Sequence, residues 1–177
     1  MGIISGGNVI EGGVGPLLSA GAPGAGTDAI WTLTIGGTPT SGSFKLKYGA
    51  QTTGAITWSA TNGTLVANID AALEALGAIG AAGVTTAVDT MTAGIGTITI
   101  TFVTALGKQV VDTLSVASND LVGSSPTVAV AETTPGVAAF GRGALKGAIA
   151  IDTTNGKEYV NTGTPAAPTW TVTGSQS

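Results

Sequence analysis

One stretch constrains the fold of this chain more than any other. Thr61 to Leu76, TNGTLVANIDAALEAL, is the only long segment whose apolar residues recur at helical spacing. Leu65, Ile69, Ala72, Leu73 and Leu76 fall on one face, with Asn68, Asp70, Glu74 and Ala75 elsewhere, which predicts an amphipathic helix over about 61–76. Thr61 or Asn62 is placed to supply an N-cap oxygen, and Gly77 or Gly80 to end the helix in a left-handed conformation. A lone helix cannot bury its own stripe. Almost everything else in the chain alternates with strand period, so the helix must pack on a sheet.

The strand signals are clear in their facing. Trp31, Leu33 and Ile35 alternate with Thr32 and Thr34, and Phe44, Leu46 and Tyr48 alternate with Lys45 and Lys47. GGTPTSG between them reads as a hairpin loop, and Lys45 and Lys47 as charges protecting a sheet edge. Gln51 to Trp58 is a third run, bringing Ile56 and Trp58 to the core side. After the helix come a short strand at Val84 to Val88 and the strongest one, Gly96 to Val103, with Ile98, Ile100 and Phe102 inward. Val110 to Val116 and Thr127 to Ala131 read as two further strands separated by the turn-rich SNDLVGSSP. Strands in series around one helix predict an α+β, mostly β fold, an antiparallel sandwich-like sheet covered by one helix, rather than βαβ units.

The flanks differ from this centre. Residues 1–28 have glycine about every third position and two apolar islands, Val9 with Ile10 and Leu17 with Leu18. Such a segment cannot build its own core, because each glycine loses much backbone entropy on ordering and few side chains offset it. It reads as an extended arm whose islands dock on other chains, so Val9, Ile10, Leu17 and Leu18 are the candidate assembly contacts. The main domain then spans 29–137, and 138–177 forms a linker and a three-strand module. In that module GAIAIDTTNGKEYVNTG signals a hairpin turning at Asn155 and Gly156, and Trp170 is expected against Tyr159.

Composition narrows the function. Only 9% of the 177 residues are charged and 43% are hydrophobic, so the chain should fold, with a surface of Thr, Ser, Gly and Ala suited to being covered by copies or a partner. The net charge is −4 and the six basic residues form no cluster, which argues against nucleic-acid binding. With no cysteine and no histidine, the usual ligands for zinc, haem and iron–sulfur chemistry and the commonest catalytic base are missing. Asp70 and Glu74 read as solvated helix charges. Asp152, Asn155 and Glu158 read as hairpin residues rather than a calcium loop, and Asn62-Gly63-Thr64 as a helix cap rather than a glycosylation site. No enzyme activity, cofactor or metal is expected. Met1 to Ile10 lacks a basic n-region and no apolar run reaches membrane length, so the expectation is a soluble protein made in the cytoplasm, without membrane contact.

The run TLTIGGTPTSGSFKLKYGAQTTGAITWSAT, followed by AALEAL, GVTT, GTITITFV, TLSV and PTVAVAETTPGV, resembles a module common in structural proteins of tailed bacteriophages. GALKGAIAIDTTNGKEYVNTGTPAAPTWTVTGSQS is similar to short modules of phage head and fibre proteins. Together these cover about Trp31 to Ser177, resting on patterning and turn residues rather than a chemical motif. The resemblance implies a non-catalytic virion protein without cofactor, foremost a capsid decoration or head-associated protein. It would bind the major capsid protein or another virion protein and neighbouring copies, with a trimer favoured. A tail-tube, tail-tip or fibre component is the alternative. A carbohydrate-binding module is another, resting on Trp31, Trp58, Trp170, Tyr48 and Tyr159, although burial of the first two is expected.

Overall fold

The computed structural model describes residues 4–5, 8–9, 16–19 and 22–174. Strands β1 (Ile4–Ser5), β2 (Asn8–Val9) and β3 (Leu17–Ser19) come first, followed by β4 (Ile30–Tyr48), β5 (Gln51–Thr52) and β6 (Ile56–Thr57). Helix α1 (Asn62–Glu74) leads to β7 (Val84–Thr92), β8 (Ile95–Phe102), β9 (Leu114–Thr134), β10 (Ile149–Asp152), β11 (Lys157–Asn161) and β12 (Trp170–Val172). The chain divides into two units, one of Asp28–Gly136 and one combining Met1–Thr27 with Val137–Ser177. The fold is α+β and mostly β, with antiparallel pairing except where β3 runs parallel to β10.

In the larger unit, the two segments expected to be loops lie opposite each other in one ladder. Thr38 pairs with Ser124, Pro39 with Gly123, Ser41 with Val122 and Gly42 with Leu121, so β4 and β9 run on as single strands of 19 and 21 residues. The turn signal was physically sound, because both strands bend there together. Register shifts fall at Gly36/Thr38 and Pro39/Ser41, and Gly37 and Gly42 on one strand and Gly123 on the other hold positive φ. A side chain on Gly37 would collide with the Ser125 carbonyl. The bend is sharp. A flat strand of this length would span about 60 Å, yet the Phe102 amide donates to Ala29 O at 3.0 Å while the Phe102 ring stacks on Tyr48 at 5.1 Å. Both ends of β4 therefore meet over one phenylalanine. The bulges also switch the inward face from Trp31, Leu33 and Ile35 to Phe44, Leu46 and Tyr48, which are all buried.

Beside β4 lie β9 along one edge and, along the other, β8 at Ile30–Ile35, then β6 and β5 toward its C-terminal end. Lys45 and Lys47 are exposed but sit on this flanked strand, so they project from a sheet face and protect no edge. β7 continues the sheet beyond β8. Helix α1 packs against β6 and β7 and buries Leu65, Ile69 and Leu73, with Leu76 just beyond it also buried. Thr61 occupies the N-cap position without a side-chain cap bond. Asn62 is used differently: Oδ1 accepts the Gly94 amide at 2.8 Å and Nδ2 donates to Met91 O at 3.1 Å, tying the helix start to the β7–β8 turn. Gly80, with φ +74°, takes the left-handed conformation after the helix and its amide donates to Leu76 O.

The smaller unit holds a four-stranded sheet in the order β12-β11-β10-β3, in which the N-terminal segment supplies the fourth strand. The sheet thus takes in one strand beyond the three of the C-terminal sequence. The β10–β11 connection is a loop of Thr153–Gly156 between the paired Asp152 and Lys157, and Gly156 alone in it holds positive φ. It is longer than the two-residue turn the Asn-Gly signal suggests. The buried Asp152 explains the difference: its Oδ1 accepts the amides of Thr154 and Asn155 at 2.9 and 3.1 Å, closing a wider turn. Trp170 stands opposite Asn161, while Val172 stands opposite Tyr159. The Trp170 ring instead meets Phe140 edge-on at 5.8 Å and donates Nε1–H to Phe140 O at 2.9 Å.

Candidate assembly surfaces

Of the polar residues weighed as a chemical site, Asp70, Asp152, Asn155 and Glu158 make hydrogen bonds within the fold. Asp70 Oδ1 accepts from Thr86 Oγ1 at 2.9 Å beside an open groove of about 290 Å³ between α1 and β7, lined by Gly63, Val66, Ala67, Val84 and Thr85. Asp152 Oδ2 accepts from Asn155 Nδ2 at 2.8 Å, whereas Glu158 Oε1 accepts from Thr173 Oγ1 at 3.1 Å. Among the described residues, no group of three or more His, Cys, Asp or Glu side chains is placed to share a metal ion. No helix is long and apolar enough to cross a membrane among them.

Of the five aromatic side chains that could stack on sugars, three are turned inward and Trp58 and Trp170 are half-buried. Trp31, Tyr48 and Tyr159 are buried, and half-buried Trp58 donates Nε1–H to Gly94 O at 3.1 Å. The Tyr48 hydroxyl accepts the Asp112 amide at 3.3 Å. Burial pushes the Tyr48 pKa above the usual value; the Asp112 amide bond works against that rise and the Asp112 charge adds to it.

The four candidate contact residues are dealt with unequally. Ile10 lies outside the described residues, and Val9 belongs to β2, which pairs with β1. Leu17 and Leu18 are in β3, whose alternation sends them to opposite faces of the small sheet. Leu17 converges with Trp170 on Gly141, where an added Cβ would lie 2.8 Å from Leu17 Cδ1 and 2.7 Å from Trp170 Cζ2. Leu18 stands beside Ile151 on the other face, which also carries Ile149 and Val160. Ile149 is exposed there and Leu18, Ile151 and Val160 are half-buried.

A second surface was missed in the sequence. β9 pairs with β4 along one edge, and no strand among the described residues pairs along its other edge. Over its 21 residues it carries Asp120 and Glu132 but neither lysine nor arginine, and one proline, Pro126, at the bend. Thr127 to Glu132 forms an unbroken stretch of ladder, with Thr127, Ala129 and Ala131 exposed and Val128 and Val130 half-buried against the core. The available signal was TVAVA, a β-branched run free of the charges that usually protect an edge.

No protein-family model and no curated protein sequence matches this chain. A solved structure from Mycobacterium phage Patience is similar to it with a TM-score of 0.41 and 16% sequence identity. The likeness covers 85% of this chain and 57% of that one.

Proposed function

We propose that this chain is a non-catalytic structural protein of a tailed-phage virion, a head-associated decoration protein that binds the assembled shell and neighbouring copies of itself. The observation that carries the reading is the long edge of β9, open among the described residues, in a chain with few charges: the molecule offers backbone pairing groups and a sparsely charged surface to other chains. The similarity of its strand and hairpin sequences to phage modules supplies the virion context, with the major capsid protein as the expected partner. Burial of Trp31, Tyr48 and Tyr159 takes up three of the five rings on which the carbohydrate-binding alternative rests, which favours the virion reading over it.

Co-sedimentation with undecorated phage shells tests the reading. The protein is expected to pellet with shells and to saturate at a fixed number of copies per capsomer. Electron microscopy of the same mixture separates this from a tail or fibre role. Density on tail tubes or fibres, with bare shells, would overturn the head assignment.

A further inference from the structure

Every edge in the larger unit except that of β9 is short or modified. β5 and β6 are two residues each. β7 carries a register shift at Val88/Thr90 and the charge of Asp89, and α1 packs against it. Such features oppose strand addition. β9 from Thr127 to Ala131 has none of them. The core also reaches this edge unfinished, because Val128 and Val130 pack against it while staying partly exposed.

We propose that a second copy of this chain occupies this edge, the two β9 strands pairing antiparallel about a two-fold axis through Ala129. The choice of a second copy as occupant rests on the assembly reading, whereas the register follows from the strand itself. Outward-pointing peptide groups alternate along a strand, so directly opposed residues in an antiparallel self-pair must be an even number apart. The axis therefore passes through a residue. At Val130 it would set Val128 against the partner's Glu132. At Val128 it would set Val130 against the partner's Pro126, which has no N–H to donate. At Ala129 it sets Val128 against the partner's Val130, Thr127 against the partner's Ala131, and Ala129 against the partner's Ala129. Glu132 then falls opposite the partner's Pro126, where the ladder ends at the bend. The two Glu132 carboxylates stand about 20 Å apart at ~3.3 Å per residue, beyond the screening length of about 8 Å. The half-exposed valines of both copies complete one apolar layer across the junction.

Like edges joined antiparallel close on a two-fold axis, so the inference favours a dimeric unit over the trimer expected from the sequence. Ala129→Cys provides a direct test, because the chain has no cysteine of its own. Mild oxidation is expected to give a covalent species at twice the 17.0 kDa chain mass, while Thr85→Cys, on exposed β7, stays a monomer in denaturing electrophoresis. Ala129→Lys places two ammonium groups opposite each other at an exposed position. It should shift sedimentation from dimer to monomer while the circular dichroism spectrum stays that of the folded chain, and remove the concentration dependence of the melting temperature that a dimer confers. A wild-type protein that sediments as a monomer at its highest soluble concentration overturns the inference. So does equal cross-linking through positions 85 and 129, or a trimer that cross-links at neither. Shell binding by the same proteins separates the two readings. A monomer that pellets with shells removes this pairing and leaves the decoration role, whereas an Ala129-linked dimer that ignores shells does the reverse.

Discussion

The two units solve the same problem, holding a small sheet together, with different interiors. Asp28–Gly136 buries large apolar side chains such as Phe44, Leu46, Leu73, Ile100 and Phe102, and Thr53 is the buried polar residue among those described there. The smaller unit buries Ala150 and Tyr159 beside Asp152 and Asn161, which are 0% and 1% exposed. The Asn161 amide is fully engaged: Nδ2 donates to Ala144 O and Leu145 O at 2.8 and 3.2 Å, and Oδ1 accepts the amides of Gly163 and Thr169, both at 2.9 Å. One interior is held by dispersion and dehydration, which are non-directional. The other is held by directional bonds that fix loops but tolerate no missing partner.

The comparison breaks if the larger unit survives a hole in its core. Leu73→Ala, at a fully buried helix position, is expected to cost about 2–5 kcal/mol. Denaturant unfolding followed by tryptophan fluorescence reads this; a loss well under 1 kcal/mol would mean that the helix stripe collapses onto something other than the sheet.

Removal of the polar centre of the smaller unit comes next. Asn161→Ala strips bonds from four backbone groups and is expected to cost about 2–4 kcal/mol, less than the sum of the bonds because water reaches some of the freed groups. Hydrogen exchange should show the loss first at β11 and β12, while amides of β4 and β8 keep their protection. Equal loss of protection in both units would show that they open together.

These expectations also indicate what the sequence could and could not tell. The alternation of Leu33, Phe44, Ile98 and Phe102 and the helix stripe were legible because facing is a local property of period 2 or 3.6. The nature of the bend was not. GGTPTSG supplies the positive-φ glycines that either a hairpin or a bulged ribbon needs, and only the partner, SNDLVGSSP some 80 residues on, distinguishes the two. Asn155-Gly156 failed in the same way, because a buried Asp152 closes a longer loop than the pair alone would select. The setting of the candidate contacts was half legible. Leu17 and Leu18 stood out as an apolar island, but which of them faces inward depends on pairing with β10. The open β9 edge is defined by the lack of a neighbouring strand among the described residues, which no local pattern encodes.

A smaller effect is expected on the polar side of α1. The sequence pattern makes Asp70 a solvated helix charge, yet it is half-buried and accepts a bond from Thr86. Asp70→Ala should therefore cost about 0.5–1.5 kcal/mol, and Thr86→Val should remove most of that difference in a double-mutant cycle.

The mildest test uses pH rather than a substitution, and it probes how dry the larger interior is. Burial raises the Tyr48 pKa in the folded state above its unfolded value of about 10. The native state then holds the phenolic proton more tightly than the unfolded chain does. The stabilisation is fully present below pH ~10 and is lost as the pH climbs through the raised folded value. The melting temperature should therefore fall in alkali, with the phenolate absorbance of Tyr48 appearing later in the titration than that of an exposed tyrosine. Tyr48→Phe should flatten the alkaline part of the profile. It should also lower stability slightly at neutral pH, because the Asp112 amide loses its acceptor. If wild type and Tyr48→Phe decline in parallel above pH ~10, the hydroxyl is reached by water, and the contrast between a dry large unit and a polar small one would have to be drawn around Phe102 rather than through Tyr48.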